Sequence, residues 1–199
     1  MERKNIAAIF ARHGESEGQN DKAKGQLDYP LDEKGRKQAE QLSDTIAGLK
    51  PKVIFSSPLQ RARIPAQLAA AKSGAKLIVS PKMLPWNFGK YEGQDKSKVE
   101  PILRDSWKNS PSKPLPGGES FNESLESESE ALRPVRAAIQ AGLRPAVIFH
   151  SRQLRQLPHF FEGKETADPT KGGPPPAGVL TMDTENKFKR IKRLSPWNA

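Results

Sequence analysis

Short apolar runs that alternate with helix-like segments constrain the fold of this chain more than any other feature. Four such runs are typical of buried strands: they span residues 5–11, 52–55, 76–79 and 145–149. Segments with helical spacing of apolar residues separate or follow them, for example Ala39, Leu42 and Ile46. This alternation predicts an α/β fold with a parallel or mostly parallel sheet.

Capping signals and proline positions predict where the helices begin and end. Ser57 can cap a helix with proline in its first turn, and Ser120 with Glu123 forms a possible capping box. Pro134 predicts a kink or a restart in the long helix that follows. The predicted helices cover 32–49, 57–72, a short stretch around 99–107, 120–139 and 151–161, and a hairpin at 179–182 and 188–191 closes the chain.

Size and composition narrow the class of protein. The 199 residues fit a single domain over residues 1–199, without an evident internal repeat. Cysteine is absent, which excludes disulfides and a thiolate nucleophile. The N-terminal apolar run is too brief for a signal peptide or a membrane span, so we expect a cytoplasmic, soluble protein without a membrane partner.

The net charge of +10 favours anionic partners through long-range steering. A basic run near the C-terminus includes Lys187, Lys189 and Arg190. We interpret this run as a charged edge strand, and binding to a nucleic acid or another polyanion is the less favoured alternative. The charge itself fits a soluble basic protein equally well, and small phosphorylated molecules and polyanions are the anionic partners that it would favour. The sequence does not indicate the oligomeric state.

Two of the three histidines directly follow predicted strands. His13 comes after the first apolar run, between Arg12 and Gly14, and His150 comes after the fourth run. In α/β sheets ligands bind beyond the carboxyl ends of the strands, so both imidazoles are expected at one rim. A neutral imidazole can attack phosphorus, and the guanidinium groups of Arg12 and Arg61 match phosphate oxygens. The pattern indicates a phosphoryl-transfer site.

Six motifs occur in an order that resembles the histidine phosphatase superfamily, whose members are phosphoglycerate-mutase-like. The first is the RHG signature at Arg12-His13-Gly14, which continues as Glu15-Ser16. The others are LDEKGRKQAEQL (31–42), SSPLQRARIPAQL (56–68), FGKYEG (88–93), PGGES (116–120) and VIFHS (147–151). The resemblance covers nearly the whole chain. It implies a three-layer α/β sandwich with a mostly parallel central sheet and helices on both faces.

The resemblance also implies roles for individual residues. His13 would be the nucleophile that becomes phosphohistidine, Arg12 and Arg61 would hold the phosphoryl group, and His150 would be the second catalytic histidine. Gly14, Ser16 and Ser151 would contact the substrate. Neither a metal nor a cofactor is implied, because the arginines and histidines neutralise the phosphate charge.

One position departs from the family pattern in a way that affects catalysis. Phosphatases of this kind usually carry an acidic residue four positions before the glycine of the FG element, where this chain has Pro85. Proline cannot protonate a leaving group. Glu119 is the favoured substitute for this acid, Glu92 or water is the second possibility, and a slow or inactive protein is the third.

A second departure is Ser151, since many relatives have glycine after the histidine. Its hydroxyl could bind phosphate, although capping of the following helix is the favoured interpretation. Arg152 and Arg155 could bind a substrate anion, but a solvated helix face is expected for them.

Three functions remain as alternatives. The leading hypothesis is a phosphomonoesterase, the second is a phosphoglycerate mutase, and the third is a weakly active or inactive relative that binds phosphate or polyanions. The substrate itself cannot be read from the sequence, because the loops at 80–118 and 162–178 carry no recognisable specificity motif.

Overall fold

The computed structural model describes residues 5–191 as a sheet of six strands flanked by five helices. The first half of the chain contains β1 (Ile6–Arg12), α1 (Glu33–Gly48), β2 (Val53–Ser56), α2 (Gln60–Ser73) and β3 (Lys76–Val79). The second half contains α3 (Lys96–Asn109), α4 (Phe121–Gln140), β4 (Pro145–Phe149), α5 (Ser151–Glu162), β5 (Val179–Asp183) and β6 (Phe188–Ile191). The predicted α/β alternation is confirmed.

The order of the strands brings distant segments of the chain together. The sheet runs β3-β2-β4-β1-β5-β6, so β4 lies between β2 and β1. The four strands β1 to β4 are parallel, whereas β5 and β6 pair antiparallel and form the closing hairpin. The mostly parallel sheet is therefore as predicted. β2 and β4 are buried along their whole length, and β1 is buried in its middle, with Ile9 and Ile148 among the inaccessible side chains.

Both faces of the sheet are covered by helices, as in a three-layer sandwich. Successive side chains of β1 point to opposite faces: Phe10 packs with the α4 and α5 side, and Ile9 packs with the α1 and α2 side. Leu132 of α4 and Leu42 of α1 represent the two helical layers. Because each face buries its own apolar cluster, the sheet forms a rigid base for the loops at its carboxyl end.

A third apolar cluster supports the loops that cover this end of the sheet. It joins Trp86 and Phe88 to Val99 and Leu103 of α3 and to Phe121 at the start of α4. The loops also meet backbone to backbone. A Cβ built on Gly89, whose φ is +55°, would lie 2.3 Å from the Pro116 carbonyl oxygen. This close approach explains why the FG and PGGES motifs both require glycine.

Several helix boundaries differ from the prediction. α2 begins at Gln60 with Leu59 as its N-cap and no side-chain cap, so the prediction of Ser57 as the cap was wrong. α4 continues through Pro134 as one helix, so no restart occurs there. α3 is longer than the short helix that was expected. The capping box of Ser120 and Glu123 is confirmed at the start of α4.

Candidate active site

The pairing of β1 with β4 places two histidines side by side. The parallel register pairs Arg12 with Phe149, so His13 and His150 each follow a paired residue at the same edge of the sheet. The ring centroids of the two imidazoles lie 5.1 Å apart, with their planes tilted by 59°. Both line a pocket of about 200 Å³ at the carboxyl end of the strands. The structure thus brings together the two histidines that the sequence singled out.

A backbone carbonyl fixes the tautomer of His13. Its Nδ1 lies 2.6 Å from the carbonyl oxygen of Gly14. Since a carbonyl oxygen only accepts hydrogen bonds, Nδ1 must carry the proton and donate it. The lone pair of the neutral ring is then on Nε2. This is the protonation state that a nucleophilic imidazole needs.

Burial and neighbouring cations keep both imidazoles neutral. Burial, followed by the positive charges of Arg61 and Arg12, lowers the pKa of His13 well below its usual value. Burial, the charge of Arg61 and the proximity of His13 act in the same direction on the pKa of His150. Neither ring nitrogen of His150 makes a well-formed hydrogen bond within residues 5–191. A buried polar group without a partner is costly, so His150 is suited to bind an oxygen atom in the pocket.

Two arginines provide fixed positive charge in the same pocket. Arg61 donates from Nη1 to the carbonyl oxygen of Leu27 at 2.6 Å and from Nη2 to that of Gly25 at 3.0 Å. Arg12 donates from Nη1 to the carbonyl oxygen of Pro174 at 3.0 Å. The Nε atoms of both arginines are buried, with no acceptor in the described part of the chain. The loop carbonyls therefore orient the two guanidinium groups and leave N–H donors for an anion.

Both guanidinium groups remain charged at neutral pH. Burial, ahead of repulsion by Arg155, lowers the pKa of Arg12 to about 10. Burial likewise lowers the pKa of Arg61 to about 10. Among residues 5–191, five further cationic side chains line the pocket, and Glu100 alone contributes a carboxylate. The cations are Lys22, Lys24, Lys96, Arg152 and Arg155.

The loop after His13 packs tightly against the start of α1. A Cβ on Gly14 would lie 2.6 Å from the carbonyl oxygen of Gly35, and one on Gly35 would lie 1.7 Å from that of Glu15. Gln38 accepts a hydrogen bond from the backbone N–H of Glu15 at 2.7 Å and donates one to its carboxylate. Gly14 therefore has a structural role in addition to the substrate contact that was expected for it, which stays a prediction.

Ser16 is buried beside the pocket rather than in its lining. The Nζ of Lys24 lies 2.5 Å from the Ser16 hydroxyl and donates to the Ser16 carbonyl oxygen at 3.0 Å. Substrate contact by Ser16 stays a prediction. Its visible role is to hold Lys24, which does line the pocket.

The start of α5 contributes three residues to the pocket. His150 is the N-cap of α5, so the expected capping role of Ser151 was wrong. The Ser151 hydroxyl lines the pocket and is buried without a partner in the described residues. Arg152 and Arg155 also line it, and the Arg152 guanidinium lies 4.9 Å from the ring centre of Phe88. These arginines are half-buried, so the expectation of a solvated helix face was wrong.

Glu119 does not line the pocket of His13 and His150. Its carboxylate accepts a hydrogen bond from the backbone N–H of Asn87 at 2.9 Å and lines a neighbouring cavity. Pro85 lines both cavities. Glu92 accepts hydrogen bonds from the backbone N–H groups of Gln26 at 2.7 Å and Phe88 at 3.1 Å, and it does not line the pocket.

Sequence reasoning missed Lys24 and Gln38 as residues of this site. Lys24 lies in a polar loop without helical or strand periodicity, so no pattern marked it. Gln38 had a usable signal: it faces the same side of α1 as Ala39 and Leu42, where a buried polar side chain needs a partner.

Residues 5–191 contain neither a metal-ligand cluster nor a membrane-spanning helix. No cluster of three or more histidine, aspartate or glutamate side chains suited to a metal ion was found among them. No helix in this range is long and apolar enough to span a membrane.

The fold is an α/β sandwich in which two histidines lie side by side in a cationic pocket at the carboxyl end of the sheet. Residues 8–196 match the family model of the Histidine phosphatase superfamily (branch 1). The chain therefore belongs to the histidine phosphatase superfamily.

Individual relatives in this superfamily have different activities. The chain is 29% identical over 154 residues to the "Probable phosphoglycerate mutase GpmB" of Cronobacter sakazakii, covering 75% of this chain and 71% of that protein. It is 29% identical over 116 residues to the glucosyl-3-phosphoglycerate phosphatase of Mycolicibacterium vanbaalenii, covering 56% of this chain and 52% of that protein. The relatives thus include both phosphatases and mutases.

A solved structure confirms the phosphoglycerate-mutase-like fold. A mycobacterial glucosyl-3-phosphoglycerate phosphatase in complex with VO3 superposes with a TM-score of 0.75 at 20% identity. The match covers 92% of this chain and 96% of that one. At this identity the likeness concerns the fold alone.

Proposed function

We propose that this protein is a phosphomonoesterase that hydrolyses a phosphate ester through a phosphohistidine on His13. The observation that carries the proposal is the placement of His13 beside His150 in a cationic pocket, with its Nδ1 2.6 Å from the Gly14 carbonyl oxygen. A buried neutral imidazole between two guanidinium groups is arranged to attack phosphorus and to stabilise the charge that develops.

The first half of the reaction transfers the phosphoryl group to the enzyme. The Nε2 lone pair of His13 forms a bond to phosphorus as the bond from phosphorus to the ester oxygen breaks. Arg12, Arg61 and His150 donate hydrogen bonds to the equatorial oxygens, where charge accumulates. The departing oxygen takes up a proton and leaves as an alcohol.

The second half returns the enzyme to its starting state. A water molecule loses a proton and attacks phosphorus, and the bond between phosphorus and Nε2 breaks. Inorganic phosphate leaves, and His13 is again a neutral imidazole with its proton on Nδ1. No change in the number of protons on His13 is needed across the cycle, which fits the lowered pKa of this residue.

Trapping the intermediate tests the proposal directly. We expect p-nitrophenyl phosphate to leave acid-labile phosphate on His13 of the rapidly quenched wild-type protein. The hydrogen bond to Gly14 predicts that Nε2 carries the phosphate, and nitrogen-15 NMR of the trapped protein can distinguish Nε2 from Nδ1. His13→Ala should neither become labelled nor turn over substrate.

His159→Ala is the matched control for this experiment. His159 lies on α5 outside the pocket, with Nδ1 2.8 Å from the carbonyl oxygen of Lys164. This variant should retain labelling and turnover. Turnover by a folded His13→Ala protein at the wild-type rate would contradict the proposed function.

Phosphoglycerate mutase is the second candidate function, and the names of several relatives favour it. A mutase uses the same histidine chemistry but returns the phosphoryl group to its product instead of to water. Incubation with 3-phosphoglycerate separates the two functions: 2-phosphoglycerate without release of phosphate would indicate a mutase. Binding of phosphate without labelling or turnover would indicate an inactive relative.

A further inference from the structure

One lysine of the pocket wall has surroundings that suit a proton donor. Lys24 is in the loop between β1 and α1 and lines the same pocket as His13, Arg61 and His150. Its Nζ donates to the carbonyl oxygen of Ser16 at 3.0 Å and to Oε1 of Gln19 at 3.1 Å, and it lies 2.5 Å from the Ser16 hydroxyl. The ammonium group is therefore held in place at the pocket wall.

We propose that the ammonium group of Lys24 protonates the leaving oxygen when His13 attacks phosphorus. This inference rests on the proposed function and names a catalytic residue for it. When substrate is bound, the N–H that points to the Ser16 hydroxyl turns to the leaving oxygen. This N–H bond breaks as the new O–H bond forms on the leaving oxygen, so Lys24 becomes a neutral amine. In the second half the amine accepts a proton from the attacking water, which restores the ammonium group.

The surroundings of Lys24 make it a much stronger acid than an ordinary lysine. Burial, followed by repulsion from Arg61 and Arg12, lowers the pKa of Lys24 to about 7. Asp32 opposes this shift, and Lys96 adds a smaller lowering. The ring of Tyr29 lies 5.7 Å from Nζ. General acids work best when their pKa is close to the working pH.

Substrate binding loads this acid with its proton. A phosphate group in the pocket brings negative charge close to Nζ, which raises the pKa of Lys24 in the complex. As the reaction proceeds, the phosphoryl group and its negative charge are transferred to His13. Lys24 then releases its proton at the stage where the leaving oxygen becomes negative.

Ser16 allows both charge states of Lys24 to be satisfied. When Lys24 is charged, the Ser16 hydroxyl can accept from Nζ and lies 3.5 Å from Oε1 of Gln19. When Lys24 is neutral, the same hydroxyl can turn and donate to the lone pair on Nζ. The loss of a proton therefore leaves no buried polar atom without a partner.

The acidic alternatives are placed less favourably. Glu119 lines the neighbouring cavity, and Glu92 is engaged by two backbone N–H groups outside the pocket. Glu100 lines the pocket, but its carboxylate lies 3.9 Å from Nζ of Lys96 and interacts with the charges of Arg152 and Arg155. Cations on several sides therefore already engage the carboxylate of Glu100.

The test compares leaving groups in Lys24→Met and Lys24→Arg. Aryl phosphates from p-nitrophenyl to p-methoxyphenyl differ in how strongly the departure of the phenolate oxygen depends on protonation. Lys24→Met should lose about 10²–10⁴-fold in kcat/KM on the poorest leaving group and far less on p-nitrophenyl phosphate. Lys24→Arg keeps the charge but cannot release a proton at neutral pH, so it should remain slow on poor leaving groups.

Three further variants serve as controls for the comparison of leaving groups. Glu100→Gln and Glu119→Gln should keep the wild-type dependence on the leaving group. Lys37→Met is the matched control, because Lys37 is exposed on α1 and pairs with Glu33 away from the pocket. Circular dichroism and thermal unfolding establish that each variant is folded.

Several results would overturn the role of Lys24. If Lys24→Arg showed the wild-type kcat/KM on every aryl phosphate, Lys24 would act only through its positive charge. A dependence on the leaving group that is equally steep in wild type and Lys24→Met would mean that it donates no proton. If wild type forms phosphohistidine on His13 and Lys24→Met shows the same leaving-group dependence as wild type, only the inference about Lys24 fails. Absence of phosphohistidine in wild type would instead refute the proposed function.

Discussion

At the scale of single residues, the site depends on keeping two imidazoles uncharged among cations. His13 and His150 are each 5% exposed, and Arg12 and Arg61 are close enough to lower the pKa of both rings. A protonated His13 could not attack phosphorus. The same burial that keeps the proposed nucleophile uncharged therefore makes the folded state sensitive to acid.

This sensitivity gives a prediction for stability. The pKa of both histidines is lower in the folded protein than in the unfolded chain, where it is about 6.5. Their contribution to stability is thus present above pH ~6.5 and is lost as the pH falls, because the unfolded chain takes up protons first. Each histidine can lower the free energy of unfolding by up to about 1.4 kcal/mol per pH unit.

The measurement is urea unfolding of wild type and His150→Phe between about pH 7.5 and about pH 5.5. His150→Phe should lose less stability on acidification, since it has one titrating group fewer. Equal pH dependence of the two proteins would show that His150 is not a buried neutral imidazole.

At the scale of elements, the contact between the His13 loop and α1 determines where the nucleophile lies. Gly35 is in the first turn of α1, and its Cα packs against the backbone of Glu15, two residues beyond His13. Gln38 on the same helix pairs with both the backbone and the side chain of Glu15. Helix α1 thus positions the loop without contacting substrate.

Gly35→Ala tests this contact. The new Cβ would lie 1.7 Å from the Glu15 carbonyl oxygen, so the loop must shift. We expect the free energy of unfolding to fall by about 1–3 kcal/mol and kcat/KM for p-nitrophenyl phosphate to fall with it. Gly48→Ala, on the same helix with no atoms within 4 Å of its Cβ, should keep wild-type activity. A Gly35→Ala protein with unchanged kinetics and stability would refute the positioning role.

The elements themselves were largely predictable, and the reason is visible in particular residues. The apolar periodicity of the strands and of α1 reflects burial on both faces of the sheet, which the sequence records directly. Side-chain contacts between loops leave no such record. Lys24 reaches Ser16 across a turn, and Glu119 turns toward Asn87 rather than toward His13; both depend on loop paths that periodicity does not describe.

At the scale of the whole molecule, the net charge of +10 and the cationic pocket act in the same direction. Attraction between separated charges weakens when salt shortens the screening length. The pocket lies at the carboxyl end of the sheet, and the positive net charge of the whole protein favours the approach of anions. Encounter with a phosphorylated substrate should therefore depend on ionic strength.

The corresponding prediction concerns KM. Raising the salt from about 0.01 M to about 1 M shortens the Debye length from about 30 Å to about 3 Å. We expect KM for p-nitrophenyl phosphate to rise while kcat changes little. Lys22→Gln, at the rim of the pocket, should raise KM at low salt and converge with wild type at high salt. Lys37→Gln, outside the pocket, should match wild type at every salt concentration. A wild-type KM that does not change with salt would contradict electrostatic attraction of the substrate.

The position of β4 between β2 and β1 also has a consequence for biosynthesis. A ribosome releases β1 and β2 long before β4, so the two early strands must stay apart, with unpaired backbone edges, until the later strand inserts. Only that insertion brings His150 beside His13. A nascent chain that ends before residue 145 lacks β4 and cannot hold the imidazole pair, so the proposed phosphohistidine chemistry should arise only late in translation.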